Sequence, residues 1–167
     1  MSILNFNIED QALSLWCWAA VSNSILLFYS PGSNSRQCTI ADGVFPGRGP
    51  CCPAQSNCND IANLNDALQV AGIFASKTGR TTWTKVQNEG SNGLALGARI
   101  APSGGGGHFV VIYGASISQG RKYFHIDDPK EGVGKSFITF TDFKTKYQGD
   151  GVWTNTFFTK KNPSNAL

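Results

Sequence analysis

The chain has 167 residues, of which 41% are hydrophobic and 15% are charged, and its formal net charge is +3. A chain of this length normally forms one domain with its own core, and this apolar fraction argues against disorder. The positive charge forms no basic stripe and no apolar run reaches membrane-spanning length. We therefore expect one domain over residues 1–167 that binds no nucleic acid and inserts into no membrane.

The first functional signal is the run QALSLWCWAA at residues 11–20. The nucleophile of a thiol protease stands at the start of a helix, where unpaired backbone N–H groups and the helix dipole stabilise a thiolate. Gln11, six residues before Cys17, is placed to bring its amide beside the thiol. There the amide and the Cys17 N–H would bind the oxyanion of acyl transfer. The alternative is a buried apolar cluster of Cys17 with Trp16 and Trp18.

Helical spacing predicts a helix that starts around Cys17, with Ser14 as its N-cap. Its apolar face repeats at the helical period through Trp18, Val21, Ile25 and Phe28. Pro31 and Gly32 then end the helix, because neither residue continues it. Residues 31–58 are rich in Gly, Pro, Ser and Cys and are expected to form a loop.

The chain has five cysteines, and four of them lie within twenty-one residues, at Cys38, Cys51, Cys52 and Cys58. Two disulfides and one free thiol, Cys17, fit this count, with three possible pairings and strain against a bond between the adjacent pair. A zinc site ranks lower because there is no C-x-x-C pair and no nearby histidine. Four reduced thiols are a third possibility. Disulfides would indicate an oxidising destination outside the cytosol.

A second helix is predicted with Asp60 as its N-cap and Gly72 at its end. Its apolar residues are Ile61, Leu64 and Leu68. A short helix is predicted near Trp83. The second half of the chain changes to strand-like patterns, at residues 93–100, 108–113, 123–127, 136–141 and 152–158. Helices followed by an antiparallel sheet predict an α+β fold.

The chain has only two histidines, His108 and His125. A thiol nucleophile needs an imidazole that takes its proton and delivers it to the leaving amine. His108 begins a predicted central strand directly after four glycines, at residues 104–107. That position gives it a rigid base and an open approach on one side. We expect His108 to serve the thiol, and His125, in mid-strand, to pack or face solvent.

The imidazole in turn needs an acceptor that orients it. Asp127 and Asp128 end the next predicted strand, and successive strand residues point to opposite faces, so only one of them can meet His108. Asp128 shares its face with Phe124 and Ile126, the more apolar set, and is therefore the predicted partner. The alternative for both aspartates is ordinary turn chemistry before a proline.

These segments together resemble the papain-like cysteine peptidases. Within that group the chain is most similar to avirulence-type effector proteases of plant pathogens and to leader-cleaving peptidase domains of bacteriocin exporters. The further matching points run through Gln37-Cys38, Cys51-Cys52, Cys58-Asn59, GGHFVV at 106–111, Asp128-Pro129 and Tyr147. The resemblance implies two lobes, a helical one carrying Cys17 and a sheet carrying His108 and Asp128, with the cleft between them. The run GLALGARI at 93–100 departs from the usual Gly-Arg-Pro-Val-like strand, which affects substrate contacts on that side.

The predicted function is a cysteine endopeptidase that uses neither a metal nor an organic cofactor. Cys17 would attack a peptide carbonyl, His108 would act as base and then acid, Asp128 would orient the imidazole, and Gln11 would bind the oxyanion. Three tryptophans are candidates to line the cleft, with core packing as the alternative: Trp16, Trp18 and Trp153.

The resemblance implies a secreted bacterial effector or an antibacterial toxin that cuts one protein of a host or rival. A toxin would need a cognate immunity protein that occupies the cleft. Residues 1–5 show no signal-peptide pattern and no pro-segment is visible, so we expect delivery by another route or a mature domain. Two alternatives are a transglutaminase or deamidase on the same triad, and a disulfide-linked binding module with an inert Cys17.

Overall fold

The computed structural model describes residues 2–161, so Met1 and residues 162–167 of the predicted domain lie outside the described residues. The elements in chain order are β1 (Ser2–Ile3), α1 (Cys17–Tyr29), α2 (Gln37–Val44), α3 (Leu64–Val70), β2 (Phe74–Thr78), α4 (Trp83–Ser91), β3 (Leu96–Ala101), β4 (His108–Ser118), β5 (Arg121–Asp128), β6 (Gly134–Thr139), α5 (Phe140–Thr145) and β7 (Val152–Thr159). The predicted α+β class is confirmed. No helix within residues 2–161 has the length and apolar character that a membrane span requires.

The strands form one antiparallel sheet in the order β2-β7-β3-β4-β5-β6, and β1 pairs with β4. The central position of β4 confirms the prediction made from its apolar residues, since it pairs with β3 on one side and β5 on the other. The last strand, β7, inserts between β2 and β3. The sheet with α4 and α5 is called the sheet lobe below, and α1–α3 with their connections are called the helical lobe.

Two buried clusters lie on the two faces of the sheet. Phe109 and Val111 of β4 belong to the cluster that contains Cys17 and the apolar residues of α1. Val110 and Ile112 point to the opposite face and belong to the second cluster. This alternation follows from the two-residue period of a strand. Cys17 and Phe109 also line the same cavity, so the start of α1 lies beside the start of β4.

The predicted loop over residues 31–58 is wrong in part, because α2 forms within it. Arg36 N donates to Thr39 Oγ1 at 3.2 Å, which fixes the first turn of that helix. Ile40 and Ala41 then pack into the first cluster. The helix in this segment escaped prediction because its eight residues are only weakly apolar.

The predicted N-caps of α1 and α3 are both wrong, although both helices form. Ser14 makes no cap on α1, whose N-cap position is Trp16; its Oγ accepts instead from Asn59 Nδ2 at 3.0 Å. Asp60 does not cap α3, whose N-cap position is Asn63, because its carboxylate pairs with Arg48 at 2.9 Å. As a result Ile61 lies outside the helix and is 74% exposed.

One strand and several boundaries in the second half also differ from prediction. β2 escaped prediction because four of its five residues are exposed and show no apolar alternation. Residues 140–141 belong to α5 rather than to a strand, because Thr139 caps that helix through a bond from Asp142 N at 3.2 Å. Strand β3 starts at Leu96 rather than at residue 93.

Two disulfides form, Cys38–Cys52 and Cys51–Cys58, which confirms two bonds that avoid the adjacent pair. The alternatives of a zinc site and of four reduced thiols in this segment are therefore wrong. Cys17 is the free cysteine of the described residues. Residues 2–161 contain no group of three or more His, Cys, Asp or Glu side chains that could bind a metal ion.

Candidate active site

Strand pairing brings a histidine and an aspartate together at one end of the sheet. His108 is the first residue of β4 and Asp128 is the last residue of the antiparallel β5. His108 Nε2 and Asp128 Oδ1 lie 2.7 Å apart. Asp127 points to the other face, where its Oδ2 accepts from Ile8 N at 3.0 Å. The structure therefore places Asp128, and not Asp127, beside His108.

Asp128 is almost fully buried and accepts hydrogen bonds on both oxygens. Tyr147 Oη donates to Oδ2 at 2.6 Å, and Lys130 N donates to Oδ1 at 2.9 Å. Burial raises the pKa of Asp128, but the hydrogen bonds from His108, Tyr147 and Lys130 lower it overall. Asp128 is consequently a fixed carboxylate that orients the imidazole. The pKa of Tyr147 is raised by burial and by the charge of Asp128, so its hydroxyl stays a donor.

Cys17 is the first residue of α1, so its backbone N–H has no partner within the helix. The two indoles that flank it hydrogen-bond to one segment of the chain. Trp16 Nε1 donates to Cys58 O at 2.8 Å, and Trp18 Nε1 donates to Asp60 O at 3.0 Å. The segment that follows the Cys51–Cys58 disulfide thus fixes both sides of the free thiol.

Cys17 and His108 interact across the two lobes. Burial would lower the pKa of His108, but the hydrogen bonds and negative charges of Asp128 and Cys17 outweigh it and raise that pKa to about 9. Because Nε2 faces Asp128, Nδ1 is the nitrogen available to exchange a proton with Cys17. The imidazole is therefore protonated at neutral pH and lies beside the Cys17 sulfur. His125 lies elsewhere, 2.7 Å from Ser116 Oγ, and burial lowers its pKa.

Gln11 lies beside the same groups, and its backbone N–H donates to Pro129 O at 2.8 Å. Its side-chain Nε2 donates to Leu13 O at 3.1 Å and to Ser14 O at 2.7 Å. An amide has two N–H donors, so both are engaged within the Gln11 loop. Its Oε1 is buried without a partner in the described residues. Binding of an oxyanion by Gln11 would require the amide to release one of these carbonyls.

Two cavities meet at Gln11, Ser14 and His108. The first, of about 510 Å³, extends along Asp128 and Tyr147. The second, of about 420 Å³, contains Cys17 and is walled by Trp18, Ile61, Arg99 and Phe109. The described surface therefore has a groove that continues on both sides of the Cys17–His108 pair. Trp16 and Trp153 are fully buried and line neither cavity. They pack in the core, which was the alternative to lining the cleft.

Comparison with known proteins identifies the family. The family described as papain-like cysteine protease AvrRpt2 matches residues 3–148. The chain belongs to this family. It is a papain-like cysteine protease, as the resemblance implied. No curated protein sequence matches the chain.

Two solved structures share the fold of the protease. The peptidase domain of Streptococcus ComA, a bi-functional ABC transporter of a quorum-sensing pathway, has a TM-score of 0.59 and 15% identity, covering 93% of this chain and 98% of that chain. A C39-like peptidase from Bacillus anthracis has a TM-score of 0.60 and 14% identity, covering 96% of this chain and 98% of that chain. At these identities the similarity concerns the fold alone.

Sequence reasoning had not assigned site roles to three residues that the structure places at the site of the protease. Tyr147 donates to Asp128, and only its match to the family pattern singled it out. Asn59 Oδ1 accepts from Leu15 N at 3.0 Å, two residues before Cys17 in the chain, and likewise had only a family match. Arg99 lines the Cys17 cavity, in the strand where the chain departs from the family pattern.

Proposed function

We propose that the protease is a cysteine endopeptidase that cleaves a protein substrate through a thioester acyl-enzyme, acting as one domain over residues 1–167. The observation that carries the proposal is the Cys17 thiol beside an imidazole whose other nitrogen lies 2.7 Å from the buried carboxylate of Asp128. The order nucleophile, base and orienting acid is what acyl transfer to a thiol requires.

The reaction uses each group in turn. The Cys17 thiolate attacks the carbonyl carbon of the scissile bond, and the carbonyl oxygen becomes an oxyanion. His108 gives its proton to the amide nitrogen as the C–N bond breaks, which leaves a thioester and a free amine. Water then attacks the thioester while His108 takes its proton, and the thiolate leaves as the acid product forms. Asp128 keeps the imidazole in one orientation throughout.

The oxyanion would be bound by the Cys17 N–H and by the Gln11 amide. The Cys17 N–H is free of helical partners because that residue begins α1. The Gln11 amide would turn from the Ser14 carbonyl, now 2.7 Å away, when substrate enters. Each such donor contributes strongly because it acts where charge develops.

The resemblance to effector proteases supports delivery into a target cell as a bacterial effector or antibacterial toxin. Two disulfides support passage through an oxidising compartment. As a toxin, the protein would have a cognate immunity protein that covers the groove around Cys17. Trp18 lines the cavity of the nucleophile but is only 1% exposed, so it would support the wall of the groove beneath a bound substrate or inhibitor.

Selective alkylation tests the Cys17–His108 pair. Iodoacetamide is applied to the native protein at about pH 6 without reductant, where an unpaired thiol reacts slowly. We expect fast labelling at Cys17 alone, and much slower labelling in His108→Ala. The matched control is His125→Ala, which removes the other imidazole and should label like the wild type.

The same variants are then assayed for peptide hydrolysis and for amine incorporation into glutamine peptides. We expect hydrolysis by the wild type and none by Cys17→Ala. Equal labelling of Cys17 in the wild type and in His108→Ala would refute the pair. Amine incorporation or deamidation without peptide hydrolysis would assign the same acyl-enzyme to a transglutaminase or deamidase instead.

A further inference from the structure

Arg99 is a charged residue in the wall of the cavity that contains Cys17. It lies on β3, on the face that turns toward the helical lobe. Two residues earlier on that face, Gly97 packs so closely that a Cβ atom there would lie 2.5 Å from Leu64 Cδ2 of α3. At Arg99 the helices no longer cover the sheet, so the side chain reaches the groove instead of the core.

The guanidinium is held in place beside the site. Arg99 Nη1 donates to Thr154 Oγ1 at 3.1 Å, and Nη2 donates to Gly106 O at 3.5 Å. The group lies against Gly107, where a Cβ atom would lie 2.9 Å from both Nε and Nη2. Glycine at 107, immediately before His108, therefore provides the space that the guanidinium occupies.

Arg99 has no anionic partner in residues 2–161. The ion pairs of that part of the chain are Arg48–Asp60, Lys85–Glu89 and His108–Asp128. The described walls of the cavity contain no Asp or Glu. Arginine has five N–H donors and only two hydrogen bonds occupy them here. The remaining donors face the groove, where a carboxylate of a ligand can bind the guanidinium through paired hydrogen bonds.

We propose that Arg99 binds a carboxylate of the substrate, and that this carboxylate belongs to an acidic side chain close to the scissile bond. The inference rests on the proposed peptidase function and names its substrate class. A C-terminal carboxylate has the same chemistry. The groove continues on both sides of the Cys17–His108 pair, which favours a side chain within an extended segment over a chain end.

The test uses the full chain and an end-blocked peptide library, acetylated and amidated so that only side chains carry carboxylates. For each position flanking the cleaved bond, kcat/KM is compared between Glu and Gln. We expect one position at which Glu exceeds Gln by about 10- to 100-fold, as a hydrogen-bonded charge requires. Arg99→Gln should bring this ratio close to one, and Arg99→Glu should make Lys the preferred residue there. Arg121→Glu, the same charge change at an exposed residue on another strand, should keep the Glu preference.

The outcomes separate the two proposals. If the wild type hydrolyses no peptide at all, the proposed function fails and this inference fails with it. If peptides are hydrolysed without a Glu preference at any position, the acidic-substrate inference is wrong while the peptidase stands. A preference seen only for peptides with a free C-terminus would assign the carboxylate to the chain end and overturn the side-chain assignment. An equal loss of kcat/KM for all peptides in Arg99→Glu would show that Arg99 only supports the loop of glycines at residues 104–107.

Discussion

The two lobes that meet at the groove hold their reactive groups in different ways. The sheet lobe places His108 and Asp128 through the pairing of β4 with β5, which regular backbone hydrogen bonds determine. The helical lobe places Cys17 through the packing of α1 and through disulfides and side-chain bonds from residues 45–63, a segment that contains only a single 3₁₀ turn, Ser56–Cys58. The nucleophile therefore depends in part on covalent links, and the acid–base pair depends on a sheet.

The segment after the Cys51–Cys58 disulfide contacts both sides of the nucleophile. Carbonyls in this segment accept the indole N–H groups of Trp16 and Trp18. Asn59 adds two bonds, accepting from Leu15 N and donating to Ser14 Oγ, each at 3.0 Å. Damage to this segment should move the thiol while the imidazole and carboxylate stay in place.

Gln11→Ala should have the largest effect, and it tests whether the helical lobe supplies the oxyanion site. Loss of one oxyanion donor lowers kcat by about 10²- to 10³-fold. The Cys17–His108 pair does not involve this amide, so the rate of alkylation at Cys17 should stay close to that of the wild type. A rise in KM with unchanged kcat would instead show that Gln11 only binds substrate.

Removal of the Cys51–Cys58 disulfide should come next. In Cys51→Ser with Cys58→Ser, Trp16 and Trp18 lose their fixed acceptors, and misplacement of a nucleophile by about 1 Å costs about 10²-fold in rate. We expect kcat/KM to fall by that factor at a temperature where the variant is folded. Reduction of both disulfides in the wild type should lower kcat/KM at least as much.

The matched control for that prediction is Cys38→Ser with Cys52→Ser. That bond closes the longer stretch, 14 residues against 7, so its loss costs at least as much stability, about 3 kcal/mol. It is also farther along the chain from the residues that contact the two indoles. Greater loss of activity in the control than in the Cys51/Cys58 pair would show that overall stability, and not the position of Cys17, is what the disulfides provide.

The same contrast explains how much of the fold could be predicted from sequence. The sheet lobe was largely predictable, because β4 and β5 carry strong strand patterns and their pairing needs only a short turn. The pattern over α2 predicts a loop instead of a helix, since its residues are weakly apolar and its packing depends on the helical lobe around it. Strand β2 and the place of β7 between β2 and β3 are set by long-range pairing that no local pattern records.

The residues of the candidate site also divide into those that local sequence patterns predict and those that only the tertiary fold brings together. A helix start, a strand start and a strand face predict Cys17, His108 and Asp128 respectively, and the structure brings the three residues together. Tyr147 could not be chosen that way, because it lies in a loop 19 residues after Asp128 and meets it only through the tertiary fold. Likewise, no sequence pattern predicts that the Gln11 amide donates to the carbonyls of Leu13 and Ser14.

Asp128→Asn tests the sheet lobe and should have a smaller effect that depends on pH. Loss of the negative charge removes the main influence that raises the pKa of His108 to about 9, so that pKa should fall toward its usual 6.5. His108 must be protonated to pair with the thiolate, and its raised pKa keeps it so until the pH rises through about 9. At about pH 8 the protonated fraction should fall about 30-fold in the variant, and at about pH 6 it should change little.

Rates of peptide hydrolysis measured against pH check this prediction, because a neutral imidazole has no proton to give to the leaving amine. The wild-type rate should be lost as pH rises through about 9, and the variant rate should be lost near the usual histidine value, about 6.5. Asp127→Asn is the control, because Asp127 faces Ile8 and not His108. Coincident profiles for wild type and Asp128→Asn would show that Asp128 does not set the charge of the imidazole.

Tyr147→Phe should have the smallest effect on activity, since Asp128 keeps its bonds to His108 and Lys130 N. We expect kcat to fall about 3- to 10-fold, and the free energy of unfolding at about pH 7 to fall by about 1.5–3 kcal/mol, the range for a hydrogen bond to a charged group. The pKa of Asp128 is lower in the folded protein than in the unfolded chain. The stability that its ionised form contributes is therefore fully present above the pKa of the unfolded chain, and it is lost as pH falls through the pKa of the folded protein.

The difference in stability between wild type and Tyr147→Phe should therefore shrink as Asp128 becomes protonated in acid. Tyr29→Phe is the matched control, because it removes another buried hydroxyl, whose partners are the neutral Thr159 hydroxyl and Ala95 N–H. It should cost about 1 kcal/mol at all pH values and leave kcat unchanged. If both variants lose the same stability with the same pH dependence, Tyr147 is a packing residue of the sheet lobe. A pH-dependent loss with lower kcat in Tyr147→Phe alone makes Tyr147 the residue that positions Asp128 for His108.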